Sequence, residues 1–322
     1  MTRYGITVPF EGVPLSEHRG WFEELASLGY TDAWSAEVDG ADGFTPLALA
    51  AAWAPALQLG VAIAPVFTRG PALLAQTAAA MAEAAPGRFC LGIGASSDVI
   101  VERWNAVAYA NPYGRVRDTL RFLRRALAGE KVTEEYGTFA VSGFRCSRAP
   151  ASPPPLYLAA LRPGMLRLAG READGAILNW LSADDVATAT AEVAKGSGGA
   201  RREVVARIFV VPEPDPEVAR AIGRRMVAAY LTVPAYAELH RWLGRGPLLQ
   251  AMWDAWAAGD RKAALGAIPD EVVDAVIVHG PPAACRDHVE RYVANGVTVP
   301  VLAVVPGRQD LTGSVRALAP AA

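Results

Sequence analysis

Apolar residues along this chain follow two alternating patterns. Short runs with little polar interruption occur at residues 4–9, 31–36, 57–64, 88–93, 156–159, 175–179, 204–211 and 297–305. Such runs predict strands buried on both faces. Between them the apolar positions recur at helical spacing, as in Trp21, Phe22, Leu25 and Leu28. Ser16 reads as the cap of that helix and Gly29 as its stop. Further helices are predicted at 45–54, 71–84, 99–106, 115–127, 164–171, 183–195 and 283–294, with Pro71 and Pro163 placed to open two of them.

Two stretches interrupt the alternation. Residues 106–153 include an alternating segment, 131–146, that folds back at Tyr136-Gly137 as a hairpin, followed by a proline-rich connector. Residues 213–277 are helix-rich and carry Trp242, Trp253 and Trp256. Eight apolar strands joined by helices predict an α/β protein with a parallel sheet, and eight is the number that closes a (β/α)8 TIM barrel. An open doubly wound sheet is the competing arrangement. The strand count, and the lack of a compositional break, favour one barrel domain over 1–322 with insertions after strands four and seven.

Composition narrows the partners. A net charge of −2, with arginines scattered among acids, gives no footprint for nucleic acid or an anionic membrane. Arg115, Arg117, Arg121, Arg124 and Arg125 read as a solvated helix face. The apolar run from Pro46 to Phe67 is divided by Pro55, Gly60 and Pro65, so helix, turn and strand are expected rather than a membrane span. Cys90, Cys146 and Cys285 are far apart, as expected of buried free thiols in a cytoplasmic protein, and the first residues run straight into a strand pattern without a signal peptide. The four histidines, His18, His240, His279 and His288, show no metal-ligand spacing and read as surface or capping residues; no metal is expected.

In a barrel the site lies at the carboxyl ends of the strands. Here those ends supply Pro9, Phe10, Glu37 to Asp39, Ala62 to Phe67, Gly94 to Ser97, Ala159 to Gly164, Asn179, Trp180 and Val211. The set holds no lysine for a Schiff base and no carboxylate cluster for a divalent ion, so a bound cofactor is expected to bring the chemistry. Gly92-Ile93-Gly94 would let a ligand approach the backbone, and Ser96 or Ser97 would cap the next helix. The loop Ala160-Leu161-Arg162-Pro163-Gly164-Met165 suits a phosphate or an ordinary turn.

Four segments, in order, carry a resemblance. Arg88-Phe89-Cys90-Leu91-Gly92-Ile93-Gly94, Leu59 to Ile63 with Thr68-Arg69-Gly70-Pro71, Leu168 to Ile177 and Gly280 to Val299 are together similar to the luciferase-like flavin and deazaflavin enzymes. The F420-dependent branch is the most similar. The resemblance implies a (β/α)8 barrel in which Ala62–Ile63 is a non-proline cis bulge backing the deazaflavin ring. It implies that Gly94, Ala95, Ser96 and Ser97 line the cofactor, and that Ala160, Leu161, Arg162, Gly164 and Met165 take its phosphate. Glu37 holds the acidic position after strand two. Val38 stands where several members have a histidine, so Glu37, Asp39 and Asn105 are the acid–base candidates. Trp104 and Trp180 are expected as pocket wall. The implied activity is hydride transfer between reduced coenzyme F420 and a small organic substrate. An FMN-dependent monooxygenase and a non-catalytic flavin- or partner-binding barrel are the alternatives. The apolar helices are compatible with a homodimer.

Overall fold

The computed structural model describes residues 3–320. The first half contains β1 (Gly5–Thr7), α1 (His18–Ser27), β2 (Asp32–Ser35), α2 (Thr45–Trp53), β3 (Gln58–Pro65), α3 (Pro71–Ala84), β4 (Phe89–Gly94) and α4 (Pro112–Leu127). The hairpin β5 (Val132–Glu135) and β6 (Ala140–Phe144) follows. Next come β7 (Leu156–Ala159), α5 (Pro163–Glu172), β8 (Gly175–Asn179), α6 (Val186–Ser197) and β9 (Glu203–Val211). The helices α7 (Pro216–Leu231), α8 (Pro234–Trp242), α9 (Gly246–Ala257), α10 (Arg261–Gly266) and α11 (Asp270–Val276) form the second insertion. The chain then runs through β10 (Val278–His279), α12 (Pro282–Ala294), β11 (Val299–Val304) and α13 (Leu311–Ala317).

Strands β1, β2, β3, β4, β7, β8, β9 and β11 pair in parallel around a closed ring, with β11 returning to β1. The eight apolar runs are the eight barrel strands. Beyond them lies β10, a two-residue strand on β9 at Val210 and Val211, too short to show a period in sequence. No helix among the described residues is long and apolar enough to cross a membrane. All three cysteines are buried and free.

Several local expectations are corrected. A 3-10 turn, Leu15–Glu17, leads into α1, and Ser16 makes no capping bond. Residues 99–104 form a π-helical turn rather than an α-helix. Helix α4 starts at Pro112, capped by Asn111, whose Oδ1 accepts from the Gly114 amide at 3.1 Å. Its arginines are not simply solvated. Arg121 pairs with Glu172, and Arg115 lies over Phe139 and donates to the Val66 and Thr138 carbonyls. His18 and His240 are fully buried. His18 braces the β1 loop: its Nδ1 donates to the Pro14 carbonyl and its Nε2 accepts from the Phe10 amide, both at 2.9 Å.

Inside the ring, Trp34, Cys90, Tyr157, Ile177, Val205, Val299 and Val301 form a continuous apolar floor. Helices α5 and α6 pack backbone to backbone. A Cβ at Gly170 would strike the Val193 carbonyl, and one at Gly196 the Arg167 carbonyl. The inserted helices build a second cluster around Val227, Leu231, Met252 and Val273, joined to the barrel through Trp180 and Phe209.

Candidate active site

The β3–β4 edge of the mouth is shaped by a bulge. Pairing between these strands shifts register between Val61 and Ala64. The Ala62–Ile63 peptide within the shift is cis, as the resemblance implied. Ala62 and Ile63 pack on the lumen cluster. The Val61 carbonyl, at the start of the shift, lies against β4, and a Cβ at position 92 would collide with it and with Ile177. Gly92 therefore makes room for the protein's own backbone, not for a ligand. Gly94 is also confined: a Cβ there would lie 3.0 Å from Ala159 and 3.1 Å from Ile63. Ala62, Ile63, Gly94 and Ala159 thus form one uncharged, apolar platform.

Next to it, Ala95, Ser96 and Ser97 are half-buried. Ser96 takes a positive φ of 64°, and its carbonyl accepts from the Tyr109 hydroxyl at 3.1 Å. Burial raises the Tyr109 hydroxyl above its ordinary value. Ser97 Oγ accepts from the Ile100 amide at 3.3 Å, the expected cap, here on the π-helical turn.

At the β2 edge, Arg69 Nε lies 2.9 Å from each oxygen of Glu37. The Arg69 guanidinium sits 4.6 Å from the Phe44 ring centroid and 3.6 Å from Asp42 Oδ1. Its pKa is raised, chiefly by the bond to Glu37. Both Glu37 oxygens are therefore engaged as acceptors in a forked pair. Val38 and Asp39 are exposed. Asn105 is exposed too, and its Nδ2 donates to the Ile100 carbonyl at 2.8 Å. Of the three acid–base candidates, only Glu37 stands in the wall of the mouth.

The loop after β7 leads into α5. Ala160 is buried, Leu161 and Met165 are half-buried, and Arg162 and Gly164 are exposed. Arg162 is the N-cap residue and makes no side-chain cap bond. Pro163 has no amide to offer, and nothing lies within 4 Å of a Cβ built on Gly164. The helix start is accessible and uncapped, so its amides and Arg162 fit a phosphate. A cleft of about 710 Å3 is lined by residues such as Arg202, Val204 and Thr298 at the opposite ends of the strands and does not belong to this mouth.

The β8–β9 edge differs in kind. Asn179 and Arg207 are register partners, on the same face as Ile177 and Val205 below them, so both side chains enter the lumen. Asn179 Nδ2 donates to the Tyr236 hydroxyl oxygen from α8 at 3.0 Å. Burial pushes the Tyr236 hydroxyl up to about 12. Arg207 and Tyr236 were not among the candidates drawn from sequence. Arg207 carried a signal, as the one charged residue inside the apolar run 204–211; Tyr236, in a distant helix, carried none. Of the two tryptophans expected as pocket wall, Trp104 is 55% exposed. Trp180 is buried, with its ring 4.4 Å from Phe209 and 4.6 Å from Tyr230.

Comparison with known proteins places this geometry. The family model described as luciferase-like monooxygenase matches residues 2–299. A 5,10-methylenetetrahydromethanopterin reductase of Methanolobus tindarius is 26% identical over 277 residues, covering 84% of each chain. An F420-dependent hydroxymycolic acid dehydrogenase of Mycobacterium tuberculosis is 30% identical over 225 residues, 66% of this chain and 60% of that protein. Among solved structures, the coenzyme F420-dependent tetrahydromethanopterin reductase of Methanopyrus kandleri superposes with a TM-score of 0.81. It is 19% identical, and the match covers 99% of this chain and 97% of that one.

Proposed function

Because the chain belongs to the luciferase-like monooxygenase family, we propose that it is a coenzyme F420-dependent oxidoreductase acting on a small organic substrate in the cytoplasm. The uncharged platform of Ala62, Ile63, Gly94 and Ala159 supports this function most directly. It is apolar and carries no charge, suited to back one face of an aromatic ring. Bound F420 would supply a hydride, which this mouth cannot generate from its own side chains.

The residues proposed to hold the ring are Ala62, Ile63, Gly94, Ala95, Ser96 and Ser97. Ala160, Leu161, Arg162, Gly164 and Met165 are proposed to hold the phosphate, through the open start of α5. The protein's share of the work is to fix the ring, hold the substrate over its free face and exclude water. Glu37 is the acid–base candidate to test first.

Fluorescence titration with F420 and with FMN tests this function. F420 is expected to bind at micromolar or tighter Kd, with FMN weaker by about tenfold or more, a gap of roughly 1.4 kcal/mol. Equal affinities would transfer the function to an FMN-dependent monooxygenase on the same platform. Binding of neither would favour a barrel without redox turnover.

A further inference from the structure

The lumen contains polar atoms that the protein itself leaves without partners. Buried and unpaired there are Thr7 Oγ1 on β1, Asn179 Oδ1 on β8 and Arg207 Nε on β9. Arg207 stands apart from the other half-buried arginines. Arg69, Arg220 and Arg245 each face a carboxylate, and Arg115 donates to backbone carbonyls. Among the described residues Arg207 has no carboxylate within ion-pair distance and donates no hydrogen bond; its guanidinium only rests 4.8 Å from the Phe209 ring centroid. Its Nε is withdrawn from water without an acceptor, on a cation that has no counter-charge, a costly condition that persists where something else supplies the anion.

Its neighbours are oriented to help. Asn179 Nδ2 donates to the Tyr236 oxygen, which leaves the tyrosine's own proton free to donate. Arg207 is always protonated and offers a planar fork of N–H groups matched to a carboxylate. Thr7 adds a hydroxyl from the strand that pairs with both β11 and β2. We propose that Arg207, with Tyr236 held in place by Asn179, forms an anion-binding site in the lumen that selects substrates bearing a carboxylate. This deepens the oxidoreductase reading and rests on it in one respect, that substrate is held inside this mouth.

The test compares 3-phenylpropionate with its neutral counterpart 3-phenylpropan-1-ol by isothermal titration calorimetry, on the whole protein with and without F420. The wild type is expected to bind the carboxylate at least tenfold more tightly than the alcohol. R207Q should erase that preference, R207K should keep part of it, and Y236F should reduce it about threefold. None of the three should change F420 affinity more than threefold. If R207Q is insoluble, R207M takes its place. The proposal is overturned if the wild type shows no preference, or if the uncharged variant retains it. It is also overturned if that variant weakens F420 tenfold while the preference survives, since Arg207 would then belong to the cofactor. Should neither F420 nor FMN bind while an Arg207-dependent preference persists, the oxidoreductase reading fails and the anion site stands.

Discussion

Two arginines stand at different edges of one barrel mouth, and the fold treats them differently. Arg69 is forked onto Glu37, approached by Asp42 and laid over Phe44. Arg207 has an aromatic ring beneath it and no acceptor among the described residues. The first has what a partly buried cation needs to be a structural brace. The second has the apolar support without the counter-charge, the condition of a binding group waiting for a ligand. Polar groups at a mouth therefore sort by whether the protein has already satisfied them, and charge alone does not separate brace from site.

The contrast can be broken hardest at the platform between the two edges. Gly92→Ala would drive a methyl group into the Val61 carbonyl. The expected loss is about 3 kcal/mol, seen as a lower midpoint in urea unfolding. An unchanged midpoint would mean that β3 can move away, and that the platform is not fixed by this contact.

Acid should weaken the seating of α8, the helix that carries Tyr236. His240 is fully buried beside Arg245, and burial first, then Arg245, lowers it from 6.5 to about 4. Between those values the unfolded chain takes up a proton that the native chain refuses. Stability should thus fall as pH drops from about 6.5 towards 4, by up to about 3 kcal/mol, and should not change from this source above that window. Thermal unfolding across this range checks it, with H240L as the variant whose curve should flatten.

Glu37→Gln removes the carboxylate forked onto Arg69 and leaves Asp42 as its remaining counter-charge, a step towards the situation of Arg207. A loss of about 2 kcal/mol is expected from the broken ion pair. Under the family resemblance turnover should also fall by about 10²-fold. Turnover within a few-fold of wild type would remove Glu37 from the acid–base candidates and leave it as Arg69's brace.

The smallest effect has the opposite sign. Arg207→Met removes an uncompensated cation, so stability should rise by about 1 kcal/mol. A loss of similar size would show that Arg207 is a brace after all, and that the two edges are alike.

Sequence and structure agree best where the signal is local. The eight barrel strands were legible because each must be apolar on both faces, and the hairpin because Tyr136-Gly137 separates two alternating segments. Gly92 was legible as a special position, yet its purpose was not, since the atom that needs the space belongs to a neighbouring strand. Arg207 was hidden for a related reason. Its direction depends on register with Asn179, and the Tyr236 that completes the group arrives from a helix, 57 residues beyond Asn179 in sequence. Buried His240 and inserted Arg115 escaped because a single polar residue does not reveal which face of its helix is covered.

The contact between α5 and α6 also bears on the loop from which α5 starts. Carbonyls at 167 and 193 occupy the space that side chains would fill at 196 and 170, so this pair of helices has nothing compressible between them. That flank of the barrel is a fixed post. The amino end of α5, proposed above to hold a phosphate, is thereby braced by its neighbour, and a ligand docked there would meet an anchor that does not yield.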